Sequence, residues 1–295
     1  MNVVVVSHTP IDQIEKKGRS MITLGGPTSY CGLTAKVLDF DVKLITKIGL
    51  DFPADFKKLL DKNGLTISSK CVSGSNPSTK FRLVLKDHER DLFLLSRCDD
   101  IRAEDIEHNA DAYIVSPVIN EVCADTLAKI PQQTNFIFLD PQGFVRKVRD
   151  DGRCYIDRTE LPINRSNIDV IKVDEEEGFA LTGASGIDAL KKLKIKTAIL
   201  TSRNKTTMLH KEHVYEITTD LIKAQDSTGI GDIFASAYTC TFAKNNDIRW
   251  ALCFGVAAAI TALKTNAMGI SKIPTRKDVE SYASVIYDSM KSVSM

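Results

Sequence analysis

The run Asp226-Ser227-Thr228-Gly229-Ile230-Gly231-Asp232 sets two glycines and an acid at the mouth of an apolar helical segment that begins near Ile233. The first turn of a helix leaves backbone N–H groups unpaired, and its aligned peptide dipoles add roughly half a positive charge there. Glycine lacks a Cβ, so an anion can approach such a backbone closely. Asp232 in the same turn is placed to accept a proton from an attacking hydroxyl. The same residues also read as a glycine-rich loop whose acid merely caps a helix. The surroundings have to decide between the two.

Outward from that run, short β-branched segments alternate with helical patterns. Residues Asn2–Val6, Val42–Ile48, Ala112–Val115, Asn135–Leu139, Asp169–Val173 and Thr197–Thr201 read as strands, mostly as continuous apolar runs. Such runs fit a sheet covered on both faces. Helical patterns occupy Thr28–Leu38, Asp51–Asn63, Glu121–Lys129, Glu175–Leu181 and Ile187–Leu193, and the chain reads as helical from Asp232 onward, with further helices from about Asp247 to Leu263 and from about Arg276 to Met290. The alternation predicts a doubly wound, mostly parallel α/β sheet with helices on both faces. Ile11–Leu24 and a hairpin from Thr79–Lys86 to Asp91–Ser96 across Asp87-His88-Glu89 break the pattern. They read as a small β layer standing off the main domain, or as edge strands of the main sheet.

The chain of 295 residues carries 43% hydrophobic and 26% charged residues and a net charge of +1. That balance gives no overall electrostatic case for nucleic acid or an anionic membrane. Seven scattered cysteines without a CxxC pair fit reduced thiols in the cytoplasm. The longest uncharged apolar run, Trp250–Leu263, falls short of the ~18 residues that would suggest a membrane span. No P-loop is present, no GxGxxG follows the first strand, and no GxSxG elbow occurs. His210 and His213 stand at i, i+3 in a strand-like stretch, which is wrong for a zinc helix.

With those signatures absent, Asp226–Phe242 resembles the second signature of the ribokinase-like sugar kinases, the PfkB family. Further echoes follow in order along the chain: Leu24-Gly25-Gly26-Pro27-Thr28, Lys47–Asp51, Lys172–Glu177 and Asn266-Ala267-Met268-Gly269. The resemblance implies one ribokinase-like kinase domain over 1–295, with lid strands from about 11–24 and 79–97. It implies transfer of a phosphoryl group from ATP, with Mg²⁺, to a hydroxyl of a small sugar or polyol, and it admits a monovalent cation and a homodimer paired through the lid. It makes Asp232 the base and the backbone of Gly229, Ile230 and Gly231 an anion hole. Asp12, Gly25, Gly26, Thr28, Tyr30, Gln142 and Arg146 become candidates for the acceptor. Asp226, Thr228, Gly229, Thr201, Asn266 and Gly269 become candidates for the nucleotide, and Glu177 with Asp174 for Mg²⁺ through water.

The chain departs from the family pattern at several points. Asp174 replaces the asparagine of NxxE, Ile230 replaces an alanine, the asparagine after the di-glycine is missing, and Thr201–Lys205 lacks a common glycine. Val6–Asp12, Tyr30 and Asp140–Arg146 are most similar to the myo-inositol kinase branch. A nucleoside kinase is the nearest alternative, with Tyr30 and Phe144 as base-stacking groups. A protein that kept the fold and lost turnover is a more distant one.

Overall fold

The computed structural model describes residues 1–86 and 90–294. Strand β1 (Asn2–Val6) leads into β2 (Ile11–Lys16) and β3 (Arg19–Leu24), then helix α1 (Gly26–Val37), β4 (Asp41–Ile45) and β5 (Ile48–Gly49). Next come α2 (Ala54–Lys62), β6 (Val72–Ser73), β7 (Lys80–Leu85), β8 (Arg90–Ser96), β9 (Ala112–Val115), α3 (Ala124–Lys129) and β10 (Ile137–Leu139). The chain continues through α4 (Gln142–Val145), β11 (Arg146–Val148), β12 (Cys154–Ile156), β13 (Val170–Asp174), α5 (Glu175–Thr182) and α6 (Gly186–Leu193). It closes with β14 (Thr197–Thr201), β15 (Lys205–His210), β16 (His213–Thr218), α7 (Ile230–Asn245), α8 (Ile248–Lys264), α9 (Arg276–Ser289) and β17 (Lys291–Ser294).

Among the described residues the main sheet has the order β17-β16-β15-β14-β13-β10-β9-β1-β4. It is parallel from β4 to β14 and antiparallel from there to β17. Both faces are covered, which explains the unbroken apolar strands. Val3 and Val5 of β1 point into one core with α1, α7 and α8, and Val4 and Val6 into the other with α6. Helix α7 lies on the first face, with the Tyr238 ring 5.6 Å from Phe138 and Phe242 stacked on Phe136 at 4.6 Å. The apolar α8 packs along it, with Leu252 fully buried.

The mostly parallel sheet is as expected, and two other expectations need correction. The run Val42–Ile48 is two strands: β4 stops at Ile45, and Ile48–Gly49 leaves the main sheet to pair with Val72–Ser73. The chain is not helical to its end. Lys291–Ser294 adds to β16, a short polar segment with no alternation that forms because the β16 edge offers hydrogen-bonding partners. Strands β15 and β16 extend the sheet antiparallel beyond the parallel pattern.

The small β layer is a separate sheet of order β3-β2-β7-β8, not an edge of the main one. Asp87, His88 and Glu89, expected as its hairpin turn, lie outside the described residues. Strand β2 pairs antiparallel with β3 and parallel with β7, so residues 12, 81 and 94 form one cross-strand row and 14, 83 and 92 the next. Ile14, Phe81 and Leu83 bury against Val118 and Ile119 of the main body.

Leu252 fills the interface between α8 and its neighbours. Leu252→Ala should lower unfolding free energy by about 2–5 kcal/mol, read from urea denaturation; a cost near zero would mean that this core collapses freely around the gap.

Candidate active site

A cavity of about 230 Å³ lies between the small sheet and the carboxyl ends of the parallel strands. Residues that directly follow or end these strands line it: Asp140 after β10, Asp174 at the end of β13 and Thr201 at the end of β14. Such crevices are where open α/β sheets hold ligands. The start of α7 forms another wall through Gly229, Gly231 and Asp232.

The local sequence explains this helix start. Helices α8 and α9 are capped by the side chains of Asp247 and Thr275, whereas α7 has no side-chain cap. Its N-cap is Gly229 in the left-handed region at φ 76°, and a Cβ there would collide with the Tyr30 ring. Only glycine satisfies both constraints. Asp232 is buried, and its carboxylate makes no hydrogen bond or ion pair among the described residues. Burial, reinforced by the charge of Asp140 and opposed by Lys172 and Arg146, pushes it up to about 7.

Beneath this turn, Lys172 Nζ donates to Asp140 Oδ2 at 2.6 Å, with both side chains nearly inaccessible. A Cβ on Gly231 would come within 3.0 Å of that ammonium. Burial alone would lower Lys172, but Asp140, Glu177 and Asp174 outweigh it and hold the lysine above its ordinary range, hence charged. A fixed cation therefore stands under an uncapped helix start and beside a free carboxylate. This is an arrangement for charge developing on phosphoryl oxygens.

At the other end of the cavity stand Asp12, Gln142 and Arg146. The Arg146 guanidinium donates to the Val118 carbonyl at 2.5 Å and to Gln142 Oε1 at 3.2 Å, and lies over the Phe81 ring. Gln142 Nε2 donates to Ser116 Oγ at 3.2 Å. Burial, aided by the charge of Asp226 and opposed by Arg146 and Arg90, raises Asp12 to about 7. Gly25 packs so tightly on the Asp12 carboxyl that a Cβ would overlap it.

Residues 3–276, most of the chain, match the family described as pfkB family carbohydrate kinase. The chain belongs to the PfkB family. It is 22% identical over 286 residues to a cytidine kinase of Thermococcus kodakarensis, covering 90% of this chain and 96% of that protein. In fold it is similar to a pyrophosphate-dependent kinase of the ribokinase family solved with sulfate, with TM-score 0.80, 21% identity and 95% and 99% of the two chains covered. It is also similar to a pyrophosphate-dependent myo-inositol-1 kinase altered to a myo-inositol-3 kinase, with TM-score 0.77, 22% identity and 97% and 99% covered. The fold is therefore ribokinase-like, and this PfkB member is a kinase.

Of the residues expected in the site, Asp12, Gly26, Tyr30, Gln142, Arg146, Asp174, Glu177, Thr201, Thr228, Gly229, Gly231 and Asp232 line one cavity. Several others do not. The Thr28 hydroxyl is committed to the His8 carbonyl and Thr9 Oγ1, and Gly25 serves to seat Asp12 rather than to face the cavity. The Ile230 N–H turns back to the Ser227 carbonyl at 3.4 Å. Asp226 is buried behind the loop, where it accepts from Thr228 N, Gly269 N and Lys272 Nζ. Burial works against its charge, but the ammonium and the two amides hold it below the usual carboxylate range. Gly269 is consumed in this knot, and Asn266 is exposed and accepts from Gln225 N. Phe144 is buried away from the cavity, and the Tyr30 ring is wedged under Gly229.

Asp174 and Glu177 form a reciprocal capping box at 2.8 Å on α5 while still lining the cavity. Burial, with the charges of Asp140 and Asp174 and against Lys172, raises Glu177 to about 8. Arg146 is half-buried rather than part of a solvated basic face, because its guanidinium is drawn inward to the Val118 carbonyl and Gln142.

Asp140, Lys172, Lys272 and Arg90 were not anticipated. A lysine inside the apolar run Val170–Val173 demands a buried counter-ion, so Lys172 was legible. Asp140 directly follows an apolar strand at the carboxyl edge of the sheet and was legible too. Arg90, on the small sheet, lines the cavity and makes no hydrogen bond or ion pair among the described residues; nothing local marks it or Lys272.

The folded chain holds the Asp232 proton more tightly than the unfolded chain, whose value is near 3.8, so stability from this group falls as pH rises toward about 7. Asp232→Asn should therefore gain stability over the parent across that window, by a few kcal/mol at pH 8. Thermal melts from pH 4 to 8 check this, and a pH-independent gap would mean a solvated carboxyl.

Proposed function

We propose that the protein transfers the γ-phosphoryl group of ATP to a hydroxyl of a small polyol, with myo-inositol the preferred acceptor. The observation that carries this reading is the unpartnered Asp232 at the uncapped start of α7, sharing one cavity with Asp12, Gln142 and Arg146. Asp232, raised toward neutrality, takes the acceptor's hydroxyl proton. The freed oxygen attacks the γ-phosphorus while the bond to the bridging oxygen breaks and ADP leaves with those electrons. Backbone N–H groups at the start of α7 and the Lys172 ammonium stabilise the transferring oxygens. Asp12, Gln142 and Arg146 orient the ring hydroxyls.

Glu177 and Asp174 suit Mg²⁺ held through water. Each spends one oxygen on the capping box and faces the cavity with the rest, and hard oxygen donors are what this ion takes. When bound, the ion would neutralise phosphate charge. The small sheet is the lid in this reading, its Phe81, Leu83 and Leu92 excluding water over the acceptor. Its edge strand β3 exposes Met21 and Ile22, which supports a homodimer paired through the lids. Seven free cysteines support a cytoplasmic setting, and among the described residues no helix is long and apolar enough to cross a membrane.

A second donor, pyrophosphate, is favoured by one observation. The cavity ends at Thr201, Ser227 and Thr228, and Asn266 and Gly269, expected beside adenine, lie outside it. The pyrophosphate-dependent kinases of similar fold point the same way. For a nucleoside acceptor, favoured by the cytidine kinase relative, Phe144 is spent in the core, while Tyr30, packed under Gly229, and Phe81 are the aromatic rings at the cavity.

Product assays with myo-inositol, other sugars and cytidine, each with ATP and with pyrophosphate, test these assignments. Phosphorylated myo-inositol from ATP is expected; product from pyrophosphate alone would reassign the donor, and product from cytidine alone would overturn the polyol. Asp232→Asn should cut kcat by about 10²–10⁴-fold with donor binding retained, and near-normal turnover would remove Asp232 as base.

A further inference from the structure

We propose that His8 is a positioning residue, a neutral imidazole that pins together the chain crossings between the main body and the small sheet and thereby seats Asp12 on the acceptor. Its consequence for catalysis rests on the reading of the small sheet as a lid; its structural part does not.

His8 is fully buried just after β1, in the segment that carries the chain into β2. Its Nε2 lies 2.8 Å from the carbonyl of Asp99, in the segment leaving β8. A carbonyl only accepts, so Nε2 bears the proton. Nδ1 lies 2.8 Å from Thr79 Oγ1, immediately before β7. In the neutral ring Nδ1 accepts the Thr79 hydroxyl proton, and the same hydroxyl oxygen accepts from Cys98 N at 2.9 Å. Burial holds His8 below the usual imidazole range, in keeping with that tautomer.

The backbone of His8 completes the junction. Its N–H donates to Glu121 Oε1 at 3.0 Å, and its carbonyl accepts from Thr28 Oγ1, in α1 just past the end of β3. One residue thus bonds to the segments before β7, after β8 and after β3, while belonging to the segment before β2. Two residues further, Pro10 accepts from Gly25 N, and Ile11 N donates to the Thr79 carbonyl. Asp12 comes next. A histidine serving only as core filler would not need both ring nitrogens satisfied by the two segments flanking the β7–β8 pair.

The test compares Thr79→Val, which keeps shape but removes the hydroxyl, with His8→Asn, which keeps an acceptor near Nδ1 but loses the bond to Asp99. Hydrogen exchange is measured in segments 11–24 and 90–96 against β1 and β9, together with KM and kcat for myo-inositol and ATP. Losing one buried hydrogen bond should speed exchange in the small-sheet segments by up to about tenfold with β1 and β9 unchanged. Acceptor KM should rise by a similar factor, with kcat less affected and ATP hydrolysis without acceptor increased.

Unchanged small-sheet exchange in both variants overturns the proposal. So does exchange that rises equally in β1 and β9, or loss of folding in both variants, since His8 would then be a general core stabiliser. If the parent fails to phosphorylate myo-inositol, the acceptor assignment falls while the exchange measurement still decides the role of His8.

Discussion

The ion pair between Asp226 and Lys272, 2.6 Å apart with neither side chain accessible, holds the cavity-lining turn before α7 in place. Lys272 also donates to the carbonyls of Asp226 and Thr228, so one ammonium fixes both ends of the segment before α7. Asp226 in turn fixes Thr228 N and Gly269 N. A glycine-containing loop has high conformational entropy when free. Here it is ordered from behind, leaving its cavity side for a ligand. Removing either charge would leave the other buried without its counter-charge, a cost of about 3–5 kcal/mol.

In front of that pair the site concentrates carboxylates: Asp12, Asp140, Asp174, Glu177 and Asp232 share one cavity with Lys172, Arg146 and Arg90. Burial first, then the charge of Asp226 on Asp12 and of Asp140 on Asp232, lifts Asp12 and Asp232 to about 7. Among the described residues, Lys172 with Asp140 is the close ion pair within the group. The folded chain thus tolerates acids that would be more comfortable in water, a usual signature of a site whose charges await a partner. The apolar cores on the two faces of the main sheet supply the stability that permits this.

The parallel sheet and helix α7 were legible because each depends on near-neighbour pattern: apolar runs for Ala112–Val115 and Thr197–Thr201, and glycines ahead of an apolar helix. Asp12, Gln142 and Arg146 came from resemblance to a known family, and the structure gathers them in one cavity. The failures are of one kind. Asp226, Thr28 and Gly269 have the right chemistry for ligands, but partners distant in the chain consume it: Lys272 stands 46 residues from Asp226, and His8 stands 20 from Thr28. Spacing along a chain reports which groups are available, whereas only packing reports which are already satisfied. Lys291–Ser294 failed for a related reason, since its strand exists only because β16 presents an edge.

The same distinction bears on how the two ends of the cavity communicate. Strands β2 and β3 carry more than Asp12: Lys16 Nζ donates to the Gln225 carbonyl at 2.6 Å, and Thr23 packs on the backbone of Gly269. The small sheet therefore lines the cavity through one residue of β2 and flanks the support of the loop before α7 through another. A displacement of that sheet as a unit would carry Asp12 and the Lys16 and Thr23 contacts together. On the reading of this sheet as a lid, acceptor binding that draws it down also tightens the loop that must hold the phosphoryl group. Coupling of this kind needs no signal through the main sheet, because β2 and β3 are one antiparallel pair whose register binds both contacts into a single rigid element.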